Sequence, residues 1–245
     1  MNSHRKNLIL TGASRGIGHA TVQRFSQEGW RVITVSRFPV PEDCPWEGGA
    51  ADHVQIDLSD PAILKLGVEL LRERLQHAPL HALVNNAGVS PKGPGGERLG
   101  VMATSQELWQ QVFQINFFAP VMLARGLIEE LRSAHGAVVN VTSFAGSRVH
   151  RFAGAAYAAS KAALAALTRE MAAEFGPSGV RVNAIAPGEI QTAMLSPATA
   201  ELIPQIPLGR LGLPEEVARV IYLLCSEQTS YINGSEIYVD GGQRC

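Results

Sequence analysis

Short apolar runs alternate with longer segments of helical period from end to end of this 245-residue chain, and few architectures accept that order. The strand-like runs are Lys6–Thr11, Arg31–Ser36, His53–Asp57, His81–Asn85, Ala137–Thr142, Val180–Ile185 and Glu236–Val239. Most are continuously apolar, as expected of strands covered on both faces of a parallel sheet. Between them the pattern predicts helices over Gly16–Glu28, Pro61–Gln76, Thr104–Arg132, Ala155–Phe175 and Pro214–Cys225. Asp60 with Pro61 reads as an N-cap and first helical residue. Thr104 with Glu107 reads as a capping box, and Gly176-Pro177 as a stop. Asn116–Pro120 predicts a break or kink in the long third helix. The β-α-β-α order predicts one doubly wound α/β domain over residues 1–245, with a mostly parallel seven-stranded sheet and helices on both faces.

Composition narrows the function classes. With 46% hydrophobic and 18% charged residues, the chain is too apolar to be disordered. A formal net charge of -1 supplies no basic surplus for neutralising phosphates, so no nucleic-acid partner is expected. No apolar run reaches a spanning length, and Leu8-Ile9-Leu10 is too short for a signal-peptide core. A cytoplasmic protein with no membrane partner is expected. Cys44, Cys225 and Cys245 share no metal-ligand spacing, which predicts free thiols and no metal site.

In open α/β sheets ligands bind at the carboxyl ends of the strands. Two loops leave such ends: Phe38–Asp52, whose Pro39, Pro41, Pro45, Gly48 and Gly49 argue against a helix, and the Pro- and Gly-rich Val89–Val101. At the first such end, Gly12, Ser14, Arg15, Gly16, Ile17 and Gly18 form a turn that opens the first helix. Glycine lets backbone approach a pyrophosphate without a Cβ between them, and the helix N-terminus offers unpaired N–H groups to the anion. The spacing departs from G-x-G-x-x-G, but the strand-turn-helix context suits a Rossmann-type dinucleotide site. An NAD site of this kind has an acidic residue at the end of the second strand. Here that strand ends in Ser36-Arg37. Arg37 and Arg15 suit a 2′-phosphate, which predicts NADP(H) favoured over NAD(H).

Tyr157 and Lys161 are four residues apart on a predicted helix and share a face. An ammonium beside a phenol favours the tyrosinate, lowering its pKa from about 10 towards neutrality, a gain of about 4 kcal/mol for roughly three units. Tyr157 is thereby a candidate general acid/base. Ser143, Asn85-Asn86-Ala87-Gly88 and Pro187-Gly188 all stand at strand C-termini, where one crevice can collect them.

Together Thr11–Gly18, Asn85–Gly88, Asn116, Ser143, Tyr157 with Lys161, Pro187-Gly188 with Thr192, and Asn233-Gly234-Ser235 with Val239-Asp240-Gly241-Gly242 resemble the short-chain dehydrogenase/reductase family over essentially the whole chain. The resemblance implies hydride transfer between a nicotinamide and a carbonyl or secondary alcohol. It implies that Tyr157 moves the proton, Lys161 lowers the phenol pKa and holds the nicotinamide ribose, and Ser143 binds the substrate oxygen. Asn116 would help hold a relay water. Asp57 and Leu58 would border the adenine, Asn85, Ala87 and Gly88 the adenosine ribose, and Pro187, Gly188, Ile190 and Thr192 the nicotinamide. It also implies a homo-oligomer, tetramer or dimer, using the Thr104–Arg132 and Ala155–Phe175 helices and Tyr231–Cys245.

Substrate identity is less legible. Val89–Val101, Phe144–Arg151 and Glu189–Ile206 are the expected pocket segments, with Met194–Pro207 a short lid. Arg148, His150 and Arg151 form either a solvated basic loop or a positive rim for an anionic substrate. The nearest-looking subgroup, the 3-oxoacyl-[acyl-carrier-protein] reductases, docks its carrier through basic residues, where this chain has Ala134 and Ser178. A polyol or sugar dehydrogenase using NAD is equally open. A non-catalytic nucleotide sensor would be expected to lack Tyr157 or Lys161, and both are present. No G-x-x-x-x-G-K-[ST] turn occurs; Gly12-Ala13-Ser14-Arg15-Gly16 has the G-x-S-x-G spacing but is the turn read above as the dinucleotide site.

Overall fold

The computed structural model describes residues 5–39, 49–195 and 197–245. Strands β1 (Asn7–Thr11), β2 (Arg31–Ser36), β3 (His53–Gln55), β4 (Ala82–Asn85), β5 (Ala137–Val141), β6 (Arg181–Pro187) and β7 (Glu236–Val239) form one seven-stranded sheet in the order β3-β2-β1-β4-β5-β6-β7. Every neighbouring pair is parallel, so the sheet is wholly rather than mostly parallel. The helices are α1 (Gly16–Gln27), α2 (Pro61–Leu75), α3 (Gln106–Phe113), α4 (Ala119–Gly126), α5 (Ile128–Ser133), α6 (Ala155–Phe175) and α7 (Pro214–Cys225).

The period of two along each strand divides the apolar residues between two cores. Ile9, Leu83, Val138 and Val182 face α2, α4 and α6 through Leu71, Leu123 and Met171. Leu8, Leu10, Val84, Val139 and Ile185 face α1 and α7 through Phe25, Val217 and Ile221. With both faces covered, the strands are mostly apolar, with buried exceptions such as Thr34, Asn85, Asn140 and Asn183. The winding changes direction between β1 and β4, and a crevice opens there at the carboxyl ends.

Several boundaries differ from expectation for local reasons. Strand β3 stops at Gln55 because Asp57 turns the chain, its Oδ1 accepting from Ser59 N–H at 2.9 Å and Ser59 Oγ–H at 2.7 Å. Asp60 is the N-cap of α2, accepting from Ala62 N and Ile63 N. The cap of α3 is Ser105, not Thr104. Ser105 Oγ accepts from Leu108 N, whereas Thr104 Oγ1 donates back to Gly100 O. The expected break is a π turn over Gln114–Phe118, and Leu127 separates a further helix, α5. A short 3-10 turn at Gly49–Asp52 falls inside the loop expected to lack helix. There Asp52 takes up the Arg31 guanidinium at 2.6 Å. Cys44, Pro41, Pro45 and Gly48 lie outside the described residues. No helix among the described residues is long and apolar enough to cross a membrane.

Candidate active site

Side-chain-to-backbone hydrogen bonds join the ends of β1 and β4. Thr11 Oγ1 accepts from the N–H groups of Asn86 (3.1 Å) and Ala87 (3.0 Å). Asn86 Nδ2 donates to the carbonyls of Thr11 and Gly12. The turn fits only because glycine occupies it. Gly12 has φ +71°, and a Cβ there would lie 2.8 Å from Ala87 Cα; at Gly18 it would lie 2.0 Å from Gly12 O. Arg15, the N-cap of α1, makes no side-chain cap bond, so side chains leave the helix's first N–H groups free to meet a ligand.

The turn floors a cavity of about 500 Å³. Gly12, Ser14, Arg15, Gly16, Ile17 and Gly18 line one side, and Ser36, Arg37, Asp57 and Leu58 close one end. Ala87 and Gly88 follow from β4, and Pro187, Gly188, Ile190 and Thr192 from β6. Ser143, Tyr157 and Lys161 line the same space. Ser36 Oγ donates to Phe38 O (2.7 Å), and the Arg37 guanidinium lies 5.4 Å from the Phe38 ring centre. The hydrogen bonds from Ser59, with Arg37 nearby, hold the Asp57 carboxyl below its ordinary pKa.

Two of the expected site residues do not line the cavity. Asn85 is buried in the sheet, where its Nδ2 donates to Asn140 Oδ1 (2.8 Å); Asn140 in turn donates to Thr168 on α6. Its side chain belongs to the core, and the neighbouring Asn86 faces the cavity instead. Asn116 is also fully buried, and its amide clamps the loop just after Gly88. Its Oδ1 accepts from Val89 N, and its Nδ2 donates to Val89 O and Ser160 Oγ.

The tyrosine and lysine meet as their spacing requires, but the electrostatics differ from expectation. The Tyr157 phenol is hydrogen-bonded with Ser143, yet burial dominates and raises its pKa. The Lys161 ammonium donates to Val141 O at 2.6 Å and lies 5.8 Å from the centre of the Tyr157 ring. Burial lowers the Lys161 pKa from 10.5 to about 8. The expected depression of the phenol is therefore not found: the ammonium donates to a backbone carbonyl, and desolvation outweighs the lowering effect of Ser143.

The two arginines of the expected rim do not line the cavity. Arg148 donates to the carbonyls of Gln243 and Arg244, Arg151 pairs with Glu201 at 2.8 Å, and His150 bonds Glu189. Glu189, His150 and Lys92 line the cavity. In the sequence His150 stood in the possible rim, and Lys92 and Glu189 fell in expected pocket segments without a role of their own, although Glu189 directly follows Pro187-Gly188. The Val89–Val101 loop is pinned to the start of α6: Lys92 donates to Phe152 O, Arg98 to Ala153 O, and Ala155 N to Leu99 O.

Comparison with known proteins agrees with this geometry. The family model described as Enoyl-(Acyl carrier protein) reductase matches residues 12–244. Protein FixR of Bradyrhizobium diazoefficiens is 58% identical, over 97% of this chain and 86% of that one. A 3-oxoacyl-[acyl-carrier-protein] reductase FabG of Chlamydia pneumoniae is 33% identical, over 97% of this chain and 96% of that one. Among solved structures, a Brucella ovis oxidoreductase of the short chain dehydrogenase/reductase family, in complex with a partially ordered NAD, is 57% identical with a TM-score of 0.84. The match covers 97% of this chain and 100% of that one. With its glycine turn, its Ser143–Tyr157–Lys161 cluster and these relatives, the chain belongs to the short-chain dehydrogenase/reductase family of oxidoreductases.

Proposed function

We propose that the protein is an NADP(H)-dependent reductase of a carbonyl compound, reversible as a secondary-alcohol dehydrogenase, with Tyr157 as general acid/base in one domain spanning residues 1–245. The observation that carries this reading is the Tyr157 phenol, hydrogen-bonded with Ser143 in the cavity that begins at the glycine turn. The cavity suits a dinucleotide. A Cβ at Gly12 or Gly18 would fill the turn, and the open N-terminus of α1 suits a pyrophosphate. Asp57 and Leu58 would border the adenine, Ala87 and Gly88 the ribose, and Pro187, Gly188, Ile190 and Thr192 the nicotinamide. When bound, the nicotinamide supplies or accepts the hydride.

The chain's own residues handle the proton. Ser143 orients the substrate oxygen, and Tyr157 Oη gives it a proton during reduction. Burial keeps the phenol neutral, which is the donor form. Lys161, with a pKa of about 8, exchanges protons near neutral pH and can restore the phenol. Asn116 holds Val89 and so fixes Gly88 against Lys161; with its side chain fully engaged, a relay water at Asn116 would rest on the main chain.

The preference for NADP(H) rests on Arg15 and Arg37 lining the cavity and on the absence of a carboxylate at the end of β2. Because a relative contains NAD, the test is direct. Catalytic efficiency with NADPH should exceed that with NADH by about tenfold or more, and Arg37→Asp should reverse the order; an NADH preference in the unaltered protein would refute it. A cytoplasmic homotetramer, or a dimer, is part of the same proposal, and light scattering reads its size. The overall test follows NADPH oxidation against β-keto thioesters, keto acids, sugars and simple ketones. Turnover of at least one is expected, and none would defeat the proposal.

A further inference from the structure

Proton transfer at Tyr157 leaves a second set of polar groups in the cavity unused. Glu189, only 8% exposed, is anchored through its own N–H to Gln243 Oε1 at 3.0 Å. Its Oε1 lies 2.5 Å from His150 Nε2. His150 Nδ1 accepts from the N–H groups of Phe152 and Ala153, both at 3.1 Å. A ring nitrogen that accepts two backbone N–H groups carries no proton, so the imidazole proton sits on Nε2 and is donated to Glu189. Phe144 and Phe152 meet the His150 ring edge-on and fix its plane. Glu189 is thus an oriented carboxylate whose second oxygen receives no hydrogen bond among the described residues.

Lys92 lies in the loop after β4 and lines the same cavity. It donates to Phe152 O, which leaves ammonium protons to spare, and it lies within the field of Glu189. Glu189 also acts electrostatically on Tyr157. An aliphatic acyl chain would leave the second Glu189 oxygen and the remaining Lys92 protons without partners, an unfavourable outcome for polar groups that it covers. A hydroxyl satisfies both, donating to the carboxylate and accepting from the ammonium.

We propose that Glu189, oriented by His150 and accompanied in the cavity by Lys92, is the specificity-determining group of the site and binds a hydroxyl near the reacting carbonyl, so that the substrates are small hydroxyketones and the corresponding polyols. This rests on the redox reading above. His150 acts as a positioning residue through Glu189.

The test compares 3-hydroxy-2-butanone with 2-butanone, which share a carbon skeleton. The intact protein should reduce the hydroxyketone with a kcat/KM about ten- to a hundredfold higher, the range expected for a hydrogen bond to a charged group. Glu189→Gln, confirmed as folded by its thermal melt, should cut that ratio about tenfold, and so should Lys92→Met, which removes the ammonium. His150→Phe should raise KM for the hydroxyketone more than it lowers kcat. Reduction of both ketones with equal efficiency, or a ratio that survives in the folded Glu189→Gln and Lys92→Met variants, overturns this inference and leaves the redox reading standing. Absence of turnover with every carbonyl tried defeats both.

Discussion

Replacing Lys161 with Met should make the protein inactive and more stable. The Lys161 side chain is 3% exposed, and its ammonium is hydrogen-bonded to Val141 O. Burial lowers its pKa from 10.5 to about 8, so the unfolded chain holds this proton more tightly than the native one. At pH 7 both states are protonated and the native state bears the whole cost. At 1.36 kcal/mol per pH unit that is about 3 kcal/mol. Between pH 8 and 10.5 the native lysine gives up its proton first, and wild-type stability rises with pH. Methionine removes the charge with similar bulk but leaves the Val141 carbonyl without its donor, a loss of about 1 kcal/mol. The net gain at pH 7 is about 2 kcal/mol, or about 4–8 °C in Tm for a chain of this size. Urea or thermal unfolding of both proteins at pH 7 and pH 10 reads this directly. The variant should lead at pH 7, and its advantage should vanish by pH 10. A less stable variant at pH 7, or a gap that ignores pH, would refute the reasoning.

The two glycines at opposite ends of α1 separate site from scaffold. Gly18→Ala forces a methyl against Gly12 O and should cost about 1–3 kcal/mol of stability while raising the NADPH Kd about tenfold or more. Gly29→Ala, at φ +76° with nothing within 4 Å, should cost about 1–2 kcal/mol and leave the Kd alone; equal losses of cofactor binding would contradict the assignment of the turn. Asp60→Ala removes the acceptor for the N–H groups of Ala62 and Ile63 and should lower stability by about 1 kcal/mol, checked by urea denaturation.

The alternation of apolar runs and amphipathic segments carried the fold, because strands buried on both sides are mostly apolar and the crossovers between parallel strands are usually helices. β2, β7, α6 and α7 lie where the pattern predicted them. The cap of α3 was misread because Thr104 and Ser105 are equally good cap residues. Only the local course of the chain decides that Thr104 turns back to bond Gly100 O, four residues earlier. The site's backbone elements were legible for the same reason as the fold: strand C-termini gather at one edge. Side-chain direction was less so. Asn85 and Asn86 are identical in chemistry, and the pleat sends one into the core towards Asn140 and the other to the glycine turn. The electrostatics of Tyr157 were missed because spacing places a cation on the same face and says nothing of burial or of Val141 O. The basic cluster at Arg148–Arg151 looked open because its partners, Glu189, Glu201 and the carbonyls near Cys245, are distant in sequence.

The account stands or falls on the Tyr157 hydroxyl as the proton carrier, and Tyr157→Phe removes that one atom. Single-turnover reduction of the best carbonyl in the panel, with the NADPH Kd measured alongside, should show a rate about 10²–10⁴-fold lower with a Kd within about threefold of the unaltered protein. A variant that keeps more than about a tenth of the wild-type rate would contradict the account, since general acid catalysis contributes more than that.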